Sequence, residues 1–91
     1  MDIDRRGREW AWWPVVDAPA GDLEVKFDTG TVWLPLERVG DRVRVLVVGP
    51  DAEGAPPAGA ALLRLGHNVA SVRVAATPEI LVRQAGTVTV Y

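Results

Sequence analysis

The feature that most constrains the fold of this chain is the alternation of apolar and polar residues with a period of two. In the segment LEVKFD the apolar residues Leu23, Val25 and Phe27 alternate with charged ones. The segments RVRVLVV, SVRVAA and TVTVY repeat the pattern. Because successive side chains of a strand point to opposite faces, this period is typical of half-buried strands and not of helices. Fifteen of the 91 residues are valine, a β-branched residue that fits a pleated sheet.

Turn-forming residues divide the chain at intervals that suit short strands. The expected breaks lie at residues 17–22, 29–30, 37–41, 49–60, 66–68, 77–79 and 84–86. The expected strands lie near residues 9–16, 23–28, 31–36, 42–48, 61–65, 69–76, 80–83 and 87–91. Seven or eight short strands predict an all-β fold, a small β-sandwich with immunoglobulin-like organisation, and a small β-barrel is the alternative. The predicted core consists of Val25, Phe27, Val43, Val45, Val47, Val72 and Val74.

Size and charge limit the classes of protein to which the chain can belong. A chain of 91 residues forms one domain with a thin core, and its net charge of -2 argues against binding to nucleic acid. The absence of cysteine excludes disulfides, thiol catalysis and cysteine-ligated metals. No apolar run approaches the ~18 residues of a membrane span, and residues 1–16 lack a signal-peptide pattern. We therefore expect a protein of the cytoplasm, or of a particle assembled there, with no cofactor and no membrane partner.

Three of the four tryptophans lie within the segment EWAWWPVV. In a strand Trp10 and Trp12 share one face, and Trp13 lies on the other face with Ala11. Pro14 cannot donate a hydrogen bond to a neighbouring strand, which places this strand at the edge of a sheet. Two interpretations stay open: Trp10 and Trp12 cap the core with Trp13 half-exposed, or one face packs against a neighbouring subunit. We expect at least one tryptophan to be buried by another chain, and Trp13 is the first candidate.

The segment DIDRRGRE, which precedes the tryptophans, alternates arginines with acidic residues. Its mixed charge predicts that residues 1–9 form an N-terminal arm, ordered only by neighbouring subunits, before a single β domain at residues 10–91. Arginines of this arm are able to stack on tryptophan rings. A third interpretation, stacking of bases on the tryptophans, requires a basic groove that the balanced charge does not provide. The predicted interface consists of Trp10, Trp12, Trp13, Arg5, Arg6 and Arg8.

One motif, FDTGTVWLP at residues 27–35, resembles the catalytic loop of aspartic proteases, in which Asp-Thr-Gly follows an apolar strand. The resemblance implies a homodimer in which Asp28 is half of a carboxylate pair that shares one proton. The supporting strand of that family is matched poorly by LLRLG, because Arg64 interrupts it. The structural interpretation, which we favour, is a tight turn in which Gly30 adopts a positive φ. No other segment predicts a catalytic, cofactor or metal site.

The C-terminal third, LGHNVASVRVAATPEILVRQAGTVTVY, resembles the ends of small all-β virion proteins of tailed bacteriophages, especially those of actinobacteria. Those proteins carry an Ala/Asp-Thr-Pro-Glu turn between two strands and end in a Gly-Thr-apolar-Thr/Arg-apolar strand. The resemblance implies a structural role in the particle: capsid decoration, head-to-tail joining or the tail. The tryptophan strand lies outside the resemblance. The matching residues are Thr77, Pro78, Glu79, Gly86, Thr87, Val88 and Val90.

Taken together, the residues and the resemblance predict a non-enzymatic assembly protein. Its expected partners are other protein subunits, either further copies of itself or other virion proteins. The expected location is the virion, assembled in the host cytoplasm, and otherwise the cytoplasm. Two alternatives stay open: a homodimeric hydrolase of the aspartic-protease kind that uses Asp28, and a cellular protein-binding module.

Overall fold

A computed structural model describes residues 1–14, 22–74 and 82–91 of the chain. Within these ranges the chain forms nine strands and no helix. The strands are β1 (Asp2–Ile3), β2 (Arg8–Pro14), β3 (Leu23–Phe27), β4 (Leu34–Pro35), β5 (Glu37–Val39), β6 (Arg42–Val48), β7 (Ala61–Leu62), β8 (Gly66–Val74) and β9 (Val82–Val90).

The strands form two sheets that share one core. The five-stranded sheet has the order β1-β9-β8-β3-β4, and the four-stranded sheet has the order β2-β6-β5 with β7 also paired to β6. Most neighbours are antiparallel, whereas β1 pairs with β9 and β7 pairs with β6 in parallel. Buried side chains of both sheets, among them Val25, Val88, Ala11 and Val45, belong to one cluster. The all-β architecture predicted from the alternation is confirmed, and β2 is an edge strand as Pro14 predicted.

The core contains the apolar side of each alternating segment. Val25 and Val47 are fully buried, because each lies on the face of its strand that points to the core. Val72 is only half-buried, and it packs against the edge of the core. The other expected core residues are confirmed as buried: Phe27, Val43, Val45 and Val74.

Several predicted boundaries differ from those of the structure. The described residues 82–83 of the strand expected at 80–83 and residues 87–90 of the strand expected at 87–91 belong to one strand, β9, and the break expected at 84–86 is a bulge opposite Ala70 and Ser71. Gly86 adopts a φ of 137° in this bulge, a conformation that favours glycine. The positive φ expected at Gly30 is wrong. Gly30 donates its N–H to the carbonyl of Phe27, and its φ is not positive. The break expected at residues 17–22 lies outside the described residues except for Asp22, and the turn of residues 77–79 lies wholly outside them.

The N-terminal segment is part of the sandwich, which corrects the expectation of an arm over residues 1–9. Ile3 of β1 pairs with Val90 of β9, and only 1% of the surface of Ile3 is exposed. The N–H of Arg5 donates to the carbonyl of Tyr91, and the carbonyl of Arg5 accepts the N–H of Asp51. Backbone pairing and the burial of Ile3 hold this polar segment in the sandwich. Neither can be predicted from the composition of the segment.

Gly49 provides a test of how closely this segment packs. A Cβ atom at residue 49 would overlap the carbonyl group of Arg5 and lie 2.9 Å from the carbonyl oxygen of Asp4. Because both obstacles are backbone atoms, we expect Gly49→Ala to lower the free energy of unfolding by about 2 kcal/mol, measured by urea denaturation. Gly30→Ala is the matched control, because its Cβ would meet only the carbonyl of Phe27 at 3.6 Å. An equal loss in both variants would contradict the expectation.

Candidate protein-interaction surface

The tryptophans of β2 point in the opposite directions to those expected. Ala11 lies opposite Val45 and Trp13 opposite Val43, both core valines, so Ala11 and Trp13 face the core. Trp13 packs against both clusters of buried residues, whereas Trp10 and Trp12 are 42% and 37% exposed. The expectation that Trp10 and Trp12 cap the core is therefore wrong, and Trp13, the first candidate for a contact with another chain, packs against its own domain. The register between β2 and β6 decides which face is buried, and the sequence of β2 alone does not contain it.

The guanidinium group of Arg44 stacks on the rings of Trp10 and Trp12. The guanidinium carbon of Arg44 lies 3.9 Å from the centre of the Trp10 ring and 5.2 Å from that of Trp12. Arg42 lies 5.8 Å from the centre of the Trp12 ring. Trp12 is directly opposite Arg44 in the ladder of β2 and β6, which explains the stack. Cations at these distances are attracted by the negative faces of the rings.

Glu37 fixes the position of the Arg44 guanidinium from the other side. Nε and Nη2 of Arg44 donate to Oε2 and Oε1 of Glu37 at 3.1 and 3.0 Å. The pairing of β5 with β6 places Glu37 directly opposite Arg44. A two-point contact of this kind holds the plane of the guanidinium in one orientation. We call the outer surface formed by Trp10, Trp12, Arg42, Arg44 and Glu37 the tryptophan face.

The tryptophan face has the chemistry of a protein contact surface. The exposed parts of Trp10 and Trp12 amount to roughly 80 Å² each, if a tryptophan side chain has about 200 Å² of surface. Val39, which pairs with Arg42 at the same surface, is 42% exposed. Tryptophan and arginine are the residue types most enriched in interface hot spots. The charge of Arg44 is balanced by Glu37, so the face combines apolar area with a guanidinium group that already has a partner.

The arginines predicted for the interface lie elsewhere. The guanidinium of Arg8 donates to the carbonyl groups of Glu53 and Gly54. Arg6 pairs with Asp4, with Nε and Oδ1 3.5 Å apart, and Arg5 is exposed. The tryptophan rings are stacked by Arg42 and Arg44, the two polar residues of the alternating segment RVRVLVV. Their alternation with valines was visible, but the strand that they pair with was not.

A second stack of this kind lies on the outer face of the five-stranded sheet. Arg73 lies 4.1 Å and Lys26 5.7 Å from the centre of the Trp33 ring, and Nε of Arg73 is 2.9 Å from Oε1 of Glu24. Trp33, which the sequence analysis did not single out, is half-buried in this arrangement. The fold therefore uses the same combination of residues once as a covered stack and once as an exposed one.

The Asp-Thr-Gly segment is attached to β8. Oδ1 of Asp28 accepts the N–H of Val69 at 2.8 Å, and the N–H of Asp28 donates to the carbonyl of Val69 at 2.9 Å. The hydroxyl of Thr29 donates to the buried side chain of Asn68. These contacts extend the pairing of β3 with β8 by one step, which is what a structural turn requires.

A cleft of about 230 Å³ lies beside the tryptophan strand, between the two sheets. Ala11 of β2 and Gly86 of β9 both line this cleft. The remaining lining residues are Met1, Trp12, Trp13, Ala85, Thr87 and Val88. Among the residues that the structure describes, no group of three histidine, aspartate or glutamate side chains is placed to hold a metal ion.

Comparisons of the chain with protein-family models, with curated proteins and with solved structures found no match. No helix within the described ranges is long and apolar enough to cross a membrane.

Proposed function

We propose that this protein is a non-enzymatic subunit of a larger protein assembly and that it contacts other subunits through the tryptophan face. The observation that carries the proposal is the guanidinium of Arg44, held by Glu37 across two exposed indole rings. Holding the rings in place before binding reduces the side-chain entropy lost when a partner covers them. The half-buried stack at Trp33 serves as the comparison, because its own domain leaves less of this residue open to a partner.

We further propose that the assembly is a phage virion, put together in the host cytoplasm. The resemblance of the C-terminal third to small virion proteins supports this part of the proposal. Its matching residues Gly86, Thr87, Val88 and Val90 form the end of β9, where Val88 and Val90 are buried. The other matching residues, Thr77, Pro78 and Glu79, lie outside the described residues.

The test of the contact surface is the double variant Trp10→Ser/Trp12→Ser. Both side chains point away from the core, so we expect the variant to fold, with a free energy of unfolding lowered by about 1 kcal/mol. Its incorporation into particles or other assemblies of the producing cells should fall by at least about tenfold. Incorporation is measured by quantitative mass spectrometry of assemblies purified through a tag.

A matched control removes exposed apolar residues from other places. Val32 and Leu62 are 64% and 62% exposed, and Val32→Ser/Leu62→Ser should leave incorporation unchanged. Equal incorporation of both double variants would contradict the proposed contact surface. Recovery of the protein in cellular complexes but never in virus particles would remove the virion part of the proposal alone.

Asp28→Asn separates the proposed function from the hydrolase alternative. The amide oxygen of asparagine can still accept the N–H of Val69, so the free energy of unfolding should change by less than about 1 kcal/mol. Incorporation into the assembly should be unchanged. Cleavage of a protein substrate by the purified chain, inhibited by pepstatin and absent in Asp28→Asn, would overturn the non-enzymatic proposal.

A further inference from the structure

The described strands at the sheet edges differ in how well they are protected against pairing with another chain. β1 and β4 have two residues each, β4 ends in Pro35, and β5 has three residues, two of them charged. Short length, charge and proline are the usual means of preventing edge-to-edge pairing. β2 also ends in a proline, Pro14, but it has seven residues, and its segment from Trp10 to Trp13 carries no charge. Of these edge strands, β2 is the one suited to accept another strand.

The backbone groups that β2 offers follow from its pairing with β6. Gly49 donates its N–H to the carbonyl of Gly7 at 3.0 Å, which makes residues 7 and 49 a hydrogen-bonded pair. Since such pairs alternate along an antiparallel ladder, the backbone groups of Glu9, Ala11 and Trp13 point toward β6. Those of Trp10 and Trp12 point away from β6, to the edge of the sheet, where no described strand pairs with β2. Pro14, which has no N–H, also lies at an outward position and removes no hydrogen bond from its own sheet.

We infer that this edge pairs with β2 of a second copy of the chain, antiparallel, about a two-fold axis at Ala11. The inference rests on the proposed function and names the first partner in the assembly. In this register Trp10 lies opposite Trp12 of the partner subunit, and Arg8 lies opposite Pro14 of the partner subunit. Each outward N–H of Trp10 and Trp12 then meets a carbonyl, so the two four-stranded sheets become one continuous sheet.

The side chains favour a second copy in this register over neighbouring ones. A row across the joined outer face reads Glu37, Arg44, Trp12 and then Trp10 of the partner subunit, with no like charges opposite each other. The proposed register makes two cross-strand tryptophan pairs. A shift by two residues in either direction leaves only one such pair, and one of these shifts moves Pro14 from the end of the pairing, opposite Arg8, to a position opposite Trp10.

The small apolar area of this contact indicates a weak dimer. Four tryptophan rings with roughly 80 Å² exposed on each supply much less than the ~1,200 Å² of a stable interface. The pair is therefore a weak dimer that depends on concentration, as suits the first step of an assembly that adds further contacts. In sedimentation experiments from about 1 μM to about 1 mM, the purified full chain should pass from monomer to dimer.

Cysteine cross-linking tests the register, because the chain has no cysteine of its own. Residue 11 of one copy lies opposite residue 11 of the other in a pair without hydrogen bonds, where Cα atoms are about 4.5 Å apart. This separation lies within the range for a disulfide. Ala11 lines the cleft, which leaves space for a sulfur atom. We expect Ala11→Cys to form a covalent dimer under mild oxidation, seen on a non-reducing gel and by mass spectrometry.

Glu9→Cys is the matched control. In the proposed register residue 9 lies opposite Trp13 of the partner subunit, and the two residues 9 are separated by four residues along the strands, about 13 Å. Its cross-linking should be at least about tenfold slower. Equal cross-linking of both variants, or cross-linking of Glu9→Cys alone, overturns the register.

A second pair of variants tests the backbone bonds without depending on a disulfide. Trp12→Ala and Trp12→Pro both lose the ring, but only proline loses the outward N–H. Dimerisation should therefore be weakened about tenfold more by Trp12→Pro than by Trp12→Ala, with both variants folded by circular dichroism. Equal weakening would show that the backbone edge is not used.

The outcomes for this inference and for the proposed function can be told apart. A wild-type chain that stays monomeric at every concentration, yet needs Trp10 and Trp12 to enter its assembly, overturns the second-copy inference alone. Cross-linking of Ala11→Cys in the producing cells to a different protein and not to itself does the same. A chain that dimerises but enters no larger assembly overturns the proposed function.

Discussion

Replacing Asn68 with leucine is expected to lower the free energy of unfolding by about 3 kcal/mol or more. Asn68 is fully buried, and it is the one polar residue in the buried core of the described chain. Its amide nitrogen donates to the carbonyls of Arg64, Gly66 and Val88 at 2.9, 3.1 and 3.2 Å. Its oxygen accepts the N–H of Arg64 at 3.1 Å and the hydroxyl of Thr29.

The expected loss is large because leucine fills the space but satisfies none of these groups. A buried backbone group without a hydrogen-bond partner costs about 1–3 kcal/mol, and Asn68 serves several of them. The side chain joins the segment before β8 to the start of β8, to β9 and to the loop after β3. Its removal should therefore loosen both neighbours of β8 at once, which hydrogen exchange of the backbone amides would detect.

Urea denaturation measures the effect, and Thr29→Val is the control. That variant removes one of the hydrogen bonds and leaves the backbone partners of Asn68 in place, so its cost should be about 1 kcal/mol. A loss below about 1 kcal/mol for Asn68→Leu would contradict this expectation. It would mean that water or a rearranged loop provides hydrogen-bond partners for the backbone groups that Asn68 now serves.

The second large effect is expected for Trp13→Ala, with a loss of about 3 kcal/mol in the free energy of unfolding. Trp13 is the tryptophan of β2 that packs against both clusters of buried residues. Removing a large aromatic side chain from such a position loses its apolar contacts and leaves a cavity between the sheets. A domain of this size has few other contacts with which to compensate, because its core is thin.

Trp10→Ala and Trp12→Ala are the controls for this prediction, measured by the same thermal and urea denaturation. Each loses a cation–π contact and a partly covered ring, and its cost should be no more than about 1 kcal/mol. Trp13, the first candidate from sequence for burial by another chain, is thus expected to contribute most to the stability of its own domain. Equal destabilisation by all three substitutions would mean that Trp10 and Trp12 are also part of the core.

The sequence predicted the elements of the fold that depend on local pattern. The alternation in LEVKFD and RVRVLVV predicted which valines are buried, because the residues that share one face of a strand are the same whichever strand lies beside it. Pro14 identified an edge strand for a similar reason. The prediction failed at Trp13, where the buried face depends on the register with β6, and at Ile3, whose partner Val90 is distant in sequence.

The candidate site was predicted only in part for the same physical reason. Trp10 and Trp12 stood out because of their rarity and spacing. Arg44 and Glu37 did not, because the stack and the two-point contact arise from the pairing of three strands. Arginines near in sequence, Arg5, Arg6 and Arg8, were chosen in their place. Proximity along the chain was a poor guide in a fold whose contacts join distant segments.

The parallel pairing of β1 with β9 has a consequence for the order in which the protein forms during synthesis. Ile3 emerges from the ribosome long before Val90, beside which it lies. The five-stranded sheet therefore stays incomplete until β9 has been synthesised. Folds dominated by such distant pairings form slowly, in milliseconds to seconds. Until then a nascent chain holds only part of its sandwich, and β2 lies at the edge of a domain that is not yet complete.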